Sequence, residues 1–251
     1  MSATVRIKNM VLGEGLPKIC VPLTDTDIEG LNASTESMMN SPFDLIEWRA
    51  DFYKDIENEK VRLQAMTFLR SQLADTPILF TIRTSPEGGK LQISTEDYIS
   101  LIISVINSGL MDIVDVELSR GDDTLNTIVA AAHKVGVKVI GSLHDNFSTP
   151  SKDRIVHHLC QMQKLGADIV KFAVTPESPR DVLTLLDATL TMQEEHNDTP
   201  IITMSMGRQG AVSRVCGSIF GSSVTFGTAG KASAPGQLPA DLLSAFLTSL
   251  A

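Results

Sequence analysis

Lys171 lies inside the apolar run Ile169-Val170-Lys171-Phe172-Ala173-Val174, whose β-branched and aromatic residues read as a strand. Desolvation disfavours a charged amine, by ~3–5 pKa units when burial is complete, and so releases the neutral form that attacks a ketone to make a Schiff base. His144 ends a second apolar run, Val139-Ile140-Gly141-Ser142-Leu143. An imidazole at a strand end is a ready general acid or base, its unperturbed pKa of about 6.5 being easily moved across neutrality. Polar residues recur two apart at Glu47 and Arg49, Thr81 and Arg83, Asp115 and Glu117, and Ser142 and His144, with Met204 and Met206 in the same relation. Residues two apart share one face of a strand. Because an unpaired buried charge is costly, charges recurring late in several strands should meet at one mouth. Taken singly, each pair also reads as an ion-paired plug of a protein interior.

Metal chemistry has little to work with. His157 and His158 are adjacent on a helical stretch, and His133 and His196 fall in helix C-terminal regions, where an imidazolium complements the dipole. Neither His-x-His nor His-Glu-x-x-His occurs, and Cys20, Cys160 and Cys216 are too far apart in sequence for a zinc site or a disulfide framework. The expectation is no metal and no cofactor, in a reducing, cytoplasmic compartment.

Positioning such residues requires strands. Runs rich in Ile, Val and Phe fall at 18–23, 44–51, 77–83, 113–118, 138–144, 169–174, 200–206 and 224–228, separated by helical periods at 26–39, 57–74, 95–108, 124–135, 151–165, 179–195, 209–220 and 239–250. Alternating strands and helices in these numbers imply an α/β protein, a closed (β/α)8 TIM barrel, whose site lies at the C-terminal ends of its strands. A short N-terminal β-hairpin, Thr4 to Lys8 against Met10 to Leu12, is placed to close the barrel bottom. With 251 residues and no linker or low-complexity run, residues 1–251 read as one catalytic domain. The loop Gly227 to Gln237, made of small residues, reads as a lid that excludes water. No Gly-x-Gly-x-x-Gly opens a helix, which excludes a Rossmann site. A net charge of −9 and a pI near 5.0 argue against a nucleic-acid or membrane-surface partner. No apolar stretch reaches signal-peptide or membrane-span length.

Several segments carry a family resemblance. Phe43-Asp44-Leu45-Ile46-Glu47-Trp48-Arg49-Ala50-Asp51, Phe80-Thr81-Ile82-Arg83-Thr84 with Glu87-Gly88-Gly89, Ser142-Leu143-His144-Asp145 with Phe147, Val170-Lys171, Met204-Ser205-Met206-Gly207 with Ser213-Arg214, and Ser233-Ala234-Pro235-Gly236-Gln237 resemble type I 3-dehydroquinate dehydratase. The resemblance implies a barrel, usually a homodimer, that converts 3-dehydroquinate to 3-dehydroshikimate and water in the shikimate pathway without metal or organic cofactor. It further implies that Lys171 forms the imine, that His144 shuttles protons and that Glu87 orients His144. By the same resemblance Arg214 pairs with the substrate carboxylate, and Glu47, Arg49, Arg83 and Gln237 hold its hydroxyls. Met204, Met206, Phe226 and Ala234 line apolar walls, with Ser233 and Gln237 on the closing loop. Pro22 stands where the family commonly offers a small polar residue.

Two other readings fit parts of the pattern. A class I aldolase or transaldolase shares the barrel and the Schiff-base lysine, but usually needs a phosphate pocket after the seventh and eighth barrel strands, and no clear one is spelled there. A non-catalytic sugar-acid-binding barrel would keep the pocket but has no need of both Lys171 and His144.

Overall fold

The computed structural model describes residues 3–230 and 233–250. Strands β1 (Val5–Ile7) and β2 (Met10–Leu12) form an antiparallel hairpin. Strands β3 (Lys18–Leu23), β4 (Leu45–Arg49), β5 (Ile78–Thr81), β6 (Ile113–Glu117), β7 (Lys138–Asp145), β8 (Ile169–Val174), β9 (Ile201–Ser205) and β10 (Val224–Thr228) follow. Each pairs in parallel with the next as far as β9, and β10 returns to β3 with Phe226 opposite Cys20. The seam between β9 and β10 closes through an Ile201–Ser222 bridge and the Ser223 N–H donated to the Ile201 carbonyl at 2.7 Å. Helices α1 (Ile28–Met38), α2 (Glu59–Leu73), α3 (Thr95–Ser108), α4 (Asp122–Val135), α5 (Lys152–Lys164), α6 (Pro179–Glu195), α7 (Gly217–Phe220) and α8 (Ala240–Ser249) lie between and after them. The result is the expected (β/α)8 barrel.

Alternation along each strand separates two cores. Outward residues such as Ile46, Trp48, Phe80, Val114, Val170 and Phe172 pack beneath the helices against Leu69, Ile102, Leu159 and Leu185. Inward residues Cys20, Leu45, Leu79, Ile113, Ile140, Ile169, Ile202 and Val224 form an apolar floor, and Ile7, Met10 and Leu12 of the hairpin join it from below. The hairpin thus closes the barrel bottom. Burying this face draws on the hydrophobic effect, about 25 cal/mol per Å² of apolar surface removed from water.

The bottom edge carries a repeated device. Asp44, Asp112 and Asp168 each stand one residue before an even-numbered strand, β4, β6 or β8. Their carboxylates accept the N–H of Ile19 at 2.7 Å, Ile78 at 2.8 Å and Val139 at 2.9 Å in the preceding strand. At the last strand pair Ser222 plays this part, accepting from Thr203 N–H at 3.1 Å. Two of the aspartates also gather cations: Asp112 pairs with Arg70 at 2.5 Å and Lys8 at 3.5 Å, and Asp168 with Lys138 and His133, both at 2.9 Å. Strand starts are therefore tied pairwise in register, which in turn fixes the layer in which every inward side chain lies.

Two local readings need correction. The segment 209–220 is not one helix: Gln209–Arg214 forms a 3-10 turn and α7 has only four residues. The cause is Ser213, whose hydroxyl accepts from Ser205 N–H at 2.9 Å and donates to the Gly210 carbonyl at 2.7 Å, tying the turn to the end of β9. Pro239 belongs not to the last helix but to a two-residue strand, β11 (Leu238–Pro239), paired with Gly227 and Thr228. Pro22 is buried in β3, two residues beyond the point where pairing with β10 ends at Cys20, and having no N–H it cannot extend that ladder. At α6 Ser178 and Asp181 form a capping box with Pro179 at the first helical position. The Gly227 to Gln237 loop includes residues 231 and 232, which lie outside the described residues, as do positions 1, 2 and 251.

Replacing Asp168 with alanine leaves the Val139 N–H unpaired and strips Lys138 and His133 of their partner. Chemical denaturation should show a loss of about 1–3 kcal/mol; an unchanged midpoint would mean that the aspartate ties contribute nothing.

Candidate active site

Directly above the apolar floor the inward positions turn polar. The next inward side chains of successive strands are Glu47, Thr81, Asp115, Ser142, Lys171, Met204 and Phe226, and Arg49, Arg83, Glu117, His144, Ala173 and Met206 follow two residues on. Above them opens a cavity of about 230 Å³. Glu47, Arg49, Arg83, Glu87, His144, Lys171, Met204, Met206, Arg214, Phe226, Ser233, Ala234 and Gln237 all border it. The structure therefore brings together every site residue that the sequence suggested.

Arg83 organises the lower part of the site. Its guanidinium donates to Asp115 at 2.7 Å, Glu117 at 2.8 Å, Glu87 at 3.4 Å and the Ser142 hydroxyl at 3.2 Å. Burial alone would oppose its charge, but the carboxylates of Asp115, Glu117 and Glu87 outweigh burial and hold its pKa well above the ordinary arginine value. Burial likewise pushes the Asp115 carboxyl up, while Arg83, Lys171 and the Ser142 hydroxyl, which donates at 2.6 Å, bring it below the ordinary carboxylate value. Glu117 is held further by the Thr84 N–H at 2.8 Å and the Thr84 hydroxyl at 2.5 Å.

The Lys171 amine donates to Asp115 at 3.3 Å and lies 3.7 Å from Glu47. Its nitrogen also stands 4.6 Å from the centre of the Phe226 ring. Its surroundings are thus carboxylate on one side and aromatic on the other, not the wholly apolar pocket that its strand sequence suggests. Glu47 is steadied by the Thr81 hydroxyl at 2.9 Å and does not pair with Arg49.

His144, with 11 % of its side chain exposed, shares a 2.8 Å hydrogen bond between Nδ1 and the Glu87 carboxyl. That bond leaves Nε2 for the cavity. Burial, then the charges of Arg83, Lys171 and Arg49, lower the His144 pKa well below 6.5, so the imidazole is neutral at pH 7. Burial, opposed by Arg83 and reinforced by Glu117, pushes Glu87 up to about 8. The pair therefore holds one proton near neutrality, and it titrates as a unit. Glu87 reaches this place on a tight turn after β5 in which Gly89 lies against the strand end: a Cβ there would sit 1.7 Å from the Arg83 carbonyl oxygen. Only glycine allows that approach.

Arg214 differs from the other buried cations of the cavity. It has no carboxylate partner among the described residues; its terminal nitrogens reach only the carbonyls of Phe226 at 3.5 Å and Pro235 at 3.2 Å, and its buried Nε has no hydrogen-bond partner. Burial lowers its pKa to about 10. A charge desolvated without compensation, facing a cavity, is matched by an anion that forks onto it, and a carboxylate fits that geometry. The loop bearing Pro235 closes over this end: the Gly207 N–H donates to the Pro235 carbonyl at 3.1 Å, and a Cβ at Gly236 would meet the Gly207 carbonyl oxygen at 2.2 Å. Gln237 folds back on the same loop, accepting from Ser233 N–H at 2.7 Å and donating to its hydroxyl at 2.9 Å.

Sequence reasoning passed over several contributors. Asp51 forks onto Arg49 at 2.8 and 2.9 Å, and the Ser119 hydroxyl makes a short hydrogen bond to Glu87. Phe52, Lys90, Asn146 and Pro235 border the cavity as well. Arg49 lies 5.1 Å and Lys90 5.7 Å from the Phe52 ring centre, which gives that exposed rim a cation–π stack. Asp51 was visible as the last residue of the Glu-Trp-Arg-Ala-Asp segment; Ser119 carries no signal in its neighbourhood.

Comparisons with known proteins agree with this constellation. The family model of type I 3-dehydroquinase matches residues 19–251. The chain is 46% identical over 250 residues to 3-dehydroquinate dehydratase of Clostridioides difficile, covering 100% of this chain and 98% of that one. It is 47% identical over 247 residues to the enzyme of that name from Escherichia coli K12, covering 98% of each. Among solved structures, the type I 3-dehydroquinate dehydratase of Clostridium difficile with covalent modified comenic acid superposes with a TM-score of 0.97 at 46% identity, covering 100% of this chain and 98% of that one. The 3-dehydroquinate dehydratase of Geobacillus kaustophilus gives 0.96 at 36% identity with the same coverage. The 3-hexulose-6-phosphate synthase structure, at 16% identity and a TM-score of 0.61, shares the fold alone. Arranged in a parallel barrel with its polar layer intact, the chain belongs to the type I 3-dehydroquinase family.

Proposed function

We propose that this barrel, as one catalytic domain over residues 1–251, is a hydro-lyase converting 3-dehydroquinate to 3-dehydroshikimate and water through an imine on Lys171. The observation that carries the reading is the sharing of one cavity by a lysine amine, a neutral histidine and a buried arginine without a carboxylate partner. In the proposed sequence, the Lys171 nitrogen attacks the ketone carbon and the carbonyl oxygen leaves as water, with His144 passing the protons. The protonated imine then draws electrons from the adjacent carbon–hydrogen bond, and neutral His144 takes the proton released. The hydroxyl on the next carbon departs as a second water, taking a proton from His144. Hydrolysis of the imine consumes one water and returns the amine, so the net reaction releases one.

Arg214 fits the substrate carboxylate, and its lack of a competing carboxylate among the described residues supports that assignment. Glu47, Arg49, Arg83 and Gln237 fit the hydroxyls, with Ser233 beside Gln237 on the closing loop. Met204, Met206, Phe226 and Ala234 supply the apolar walls that restrict water. Arg83 already serves three carboxylates, so its contribution to hydroxyl binding is secondary to holding Asp115 and Glu87 in place. The same reading places the chain in the shikimate pathway, as a cytoplasmic homodimer that needs neither metal nor organic cofactor.

Borohydride reduction in the presence of 3-dehydroquinate, followed by peptide mass mapping, tests the imine. A stable adduct on Lys171 is expected; protein that binds the compound yet yields none would overturn the mechanism. His144→Ala should still form that adduct while kcat falls by roughly 10²–10⁴, whereas near-normal turnover would remove His144 from the proton transfers.

Glu87 supplies a pH test. Its carboxyl binds a proton more tightly in the fold, at about 8, than at its ordinary 4.5, so stability declines as pH rises through that window. Glu87→Gln removes the penalty, and the variant's Tm relative to the parent should climb between these two pH values. A difference that is flat with pH would show that burial does not strain this carboxyl.

A further inference from the structure

Arg83 and Lys171 share their carboxylates, but the partner of Arg49 belongs to no other side-chain cation among the described residues. Asp51 accepts from Arg49 Nε at 2.8 Å and Nη2 at 2.9 Å. The remaining capacity of its carboxylate is taken by the Arg83 N–H at 3.3 Å and the Lys90 N–H at 3.1 Å. Its side chain is 0% exposed, and it does not border the cavity that Arg49 faces. Asp51 therefore cannot be a substrate ligand, yet it decides what Arg49 offers to one. Facing the same cavity, Arg83 is offset by Asp115, Glu117 and Glu87, and Lys171 by Asp115 and Glu47. Lys90, the remaining described cation of the rim, is exposed to water.

We infer that Asp51 is a specificity-determining residue: by pairing with Arg49 it leaves Arg214, among the described residues, as the single buried cation open to an anion, so the pocket takes a hydroxy acid with one negative charge and rejects a dianion. The inference deepens the reading under Proposed function and rests on it for the identity of the preferred ligand. Its physical basis is local. A desolvated guanidinium without a counterion recruits whichever anion can reach it, while one that is already forked onto a carboxylate offers only hydrogen-bond donors suited to neutral hydroxyls. Rejection then follows from leaving a second negative charge uncompensated in the cavity, which discriminates more strongly than a lost contact.

The probe is inorganic sulfate, a dianion near neutrality, followed both by calorimetry and as a competitive inhibitor of 3-dehydroquinate turnover at low ionic strength. Asp51→Asn keeps the side-chain volume and one acceptor for the backbone N–H groups. It should bind sulfate at least about tenfold more tightly than the parent, and the gain should vanish in the Arg49→Gln/Asp51→Asn double variant. Unchanged sulfate affinity in Asp51→Asn, or a gain that survives loss of Arg49, would overturn the inference. Should Asp51→Asn not fold, the Arg49→Gln/Asp51→Asn double variant decides, because it removes the pair without changing the net charge: sulfate affinity staying within roughly twofold of the parent supports neutralisation by Asp51, and a drop comparable to that of Arg214→Gln contradicts it. Calorimetry requires no turnover, so absence of dehydratase activity or of the Lys171 adduct would count against the proposed reaction and not against the role of Asp51.

Discussion

Burying a guanidinium inside a barrel is costly unless carboxylates offset its charge, and Arg83 brings Asp115, Glu117 and Glu87 to a single point. Each of those acids then reaches a second group. Asp115 touches the Lys171 amine, Glu87 holds His144, and Glu117 secures the backbone and hydroxyl of Thr84 at the turn that carries Glu87. The geometry of the candidate site is in this sense a by-product of charge compensation. Removing one member leaves the others buried and unpaired, a situation that costs about 3–5 kcal/mol, so the network holds its members in place without help from the cavity's occupant.

Beneath this layer the barrel is built to be unyielding. The apolar floor is completed by the hairpin residues Ile7, Met10 and Leu12, and the aspartates preceding β4, β6 and β8 fix the starts of the strands. A shift of one residue in any strand would turn its charged inward side chains onto the helix layer. Rigidity below and loop closure above divide the labour: strands carry Lys171 and His144, Arg83 follows the end of β5 by two residues, and the loops carry Glu87, Ser233 and Gln237. Arg214 lies between the two, on a 3-10 turn held by Ser213 and Thr225, whose hydroxyl reaches the Arg214 carbonyl at 2.8 Å.

Much of this was legible from alternation alone. The two-residue spacing of Glu47 and Arg49, of Asp115 and Glu117, and of Ser142 and His144 placed them on inward faces, and the intervening helical periods implied a barrel. Which partner each would take was not legible. Arg49 chose Asp51 over Glu47, which is equally close in sequence, because the chain turns immediately after β4 and brings Asp51 round, a matter of backbone path. Glu87 and Arg214 sit on turns without periodicity, so only the family resemblance pointed to them. Residues 209–220 read as a helix by composition, but the Ser213 hydroxyl competes for the backbone there, a local choice that propensity does not capture.

Arg214 is buried without a carboxylate partner among the described residues, which leaves it free to receive one from a ligand. This is tested by comparing the binding of a substrate-shaped hydroxy acid and its neutral carboxamide to the parent and to Arg214→Gln. The parent should prefer the acid strongly, and the substitution should abolish this preference while hardly altering amide binding. Equal losses for acid and amide would contradict it, because Arg214 would then be contributing shape and not charge.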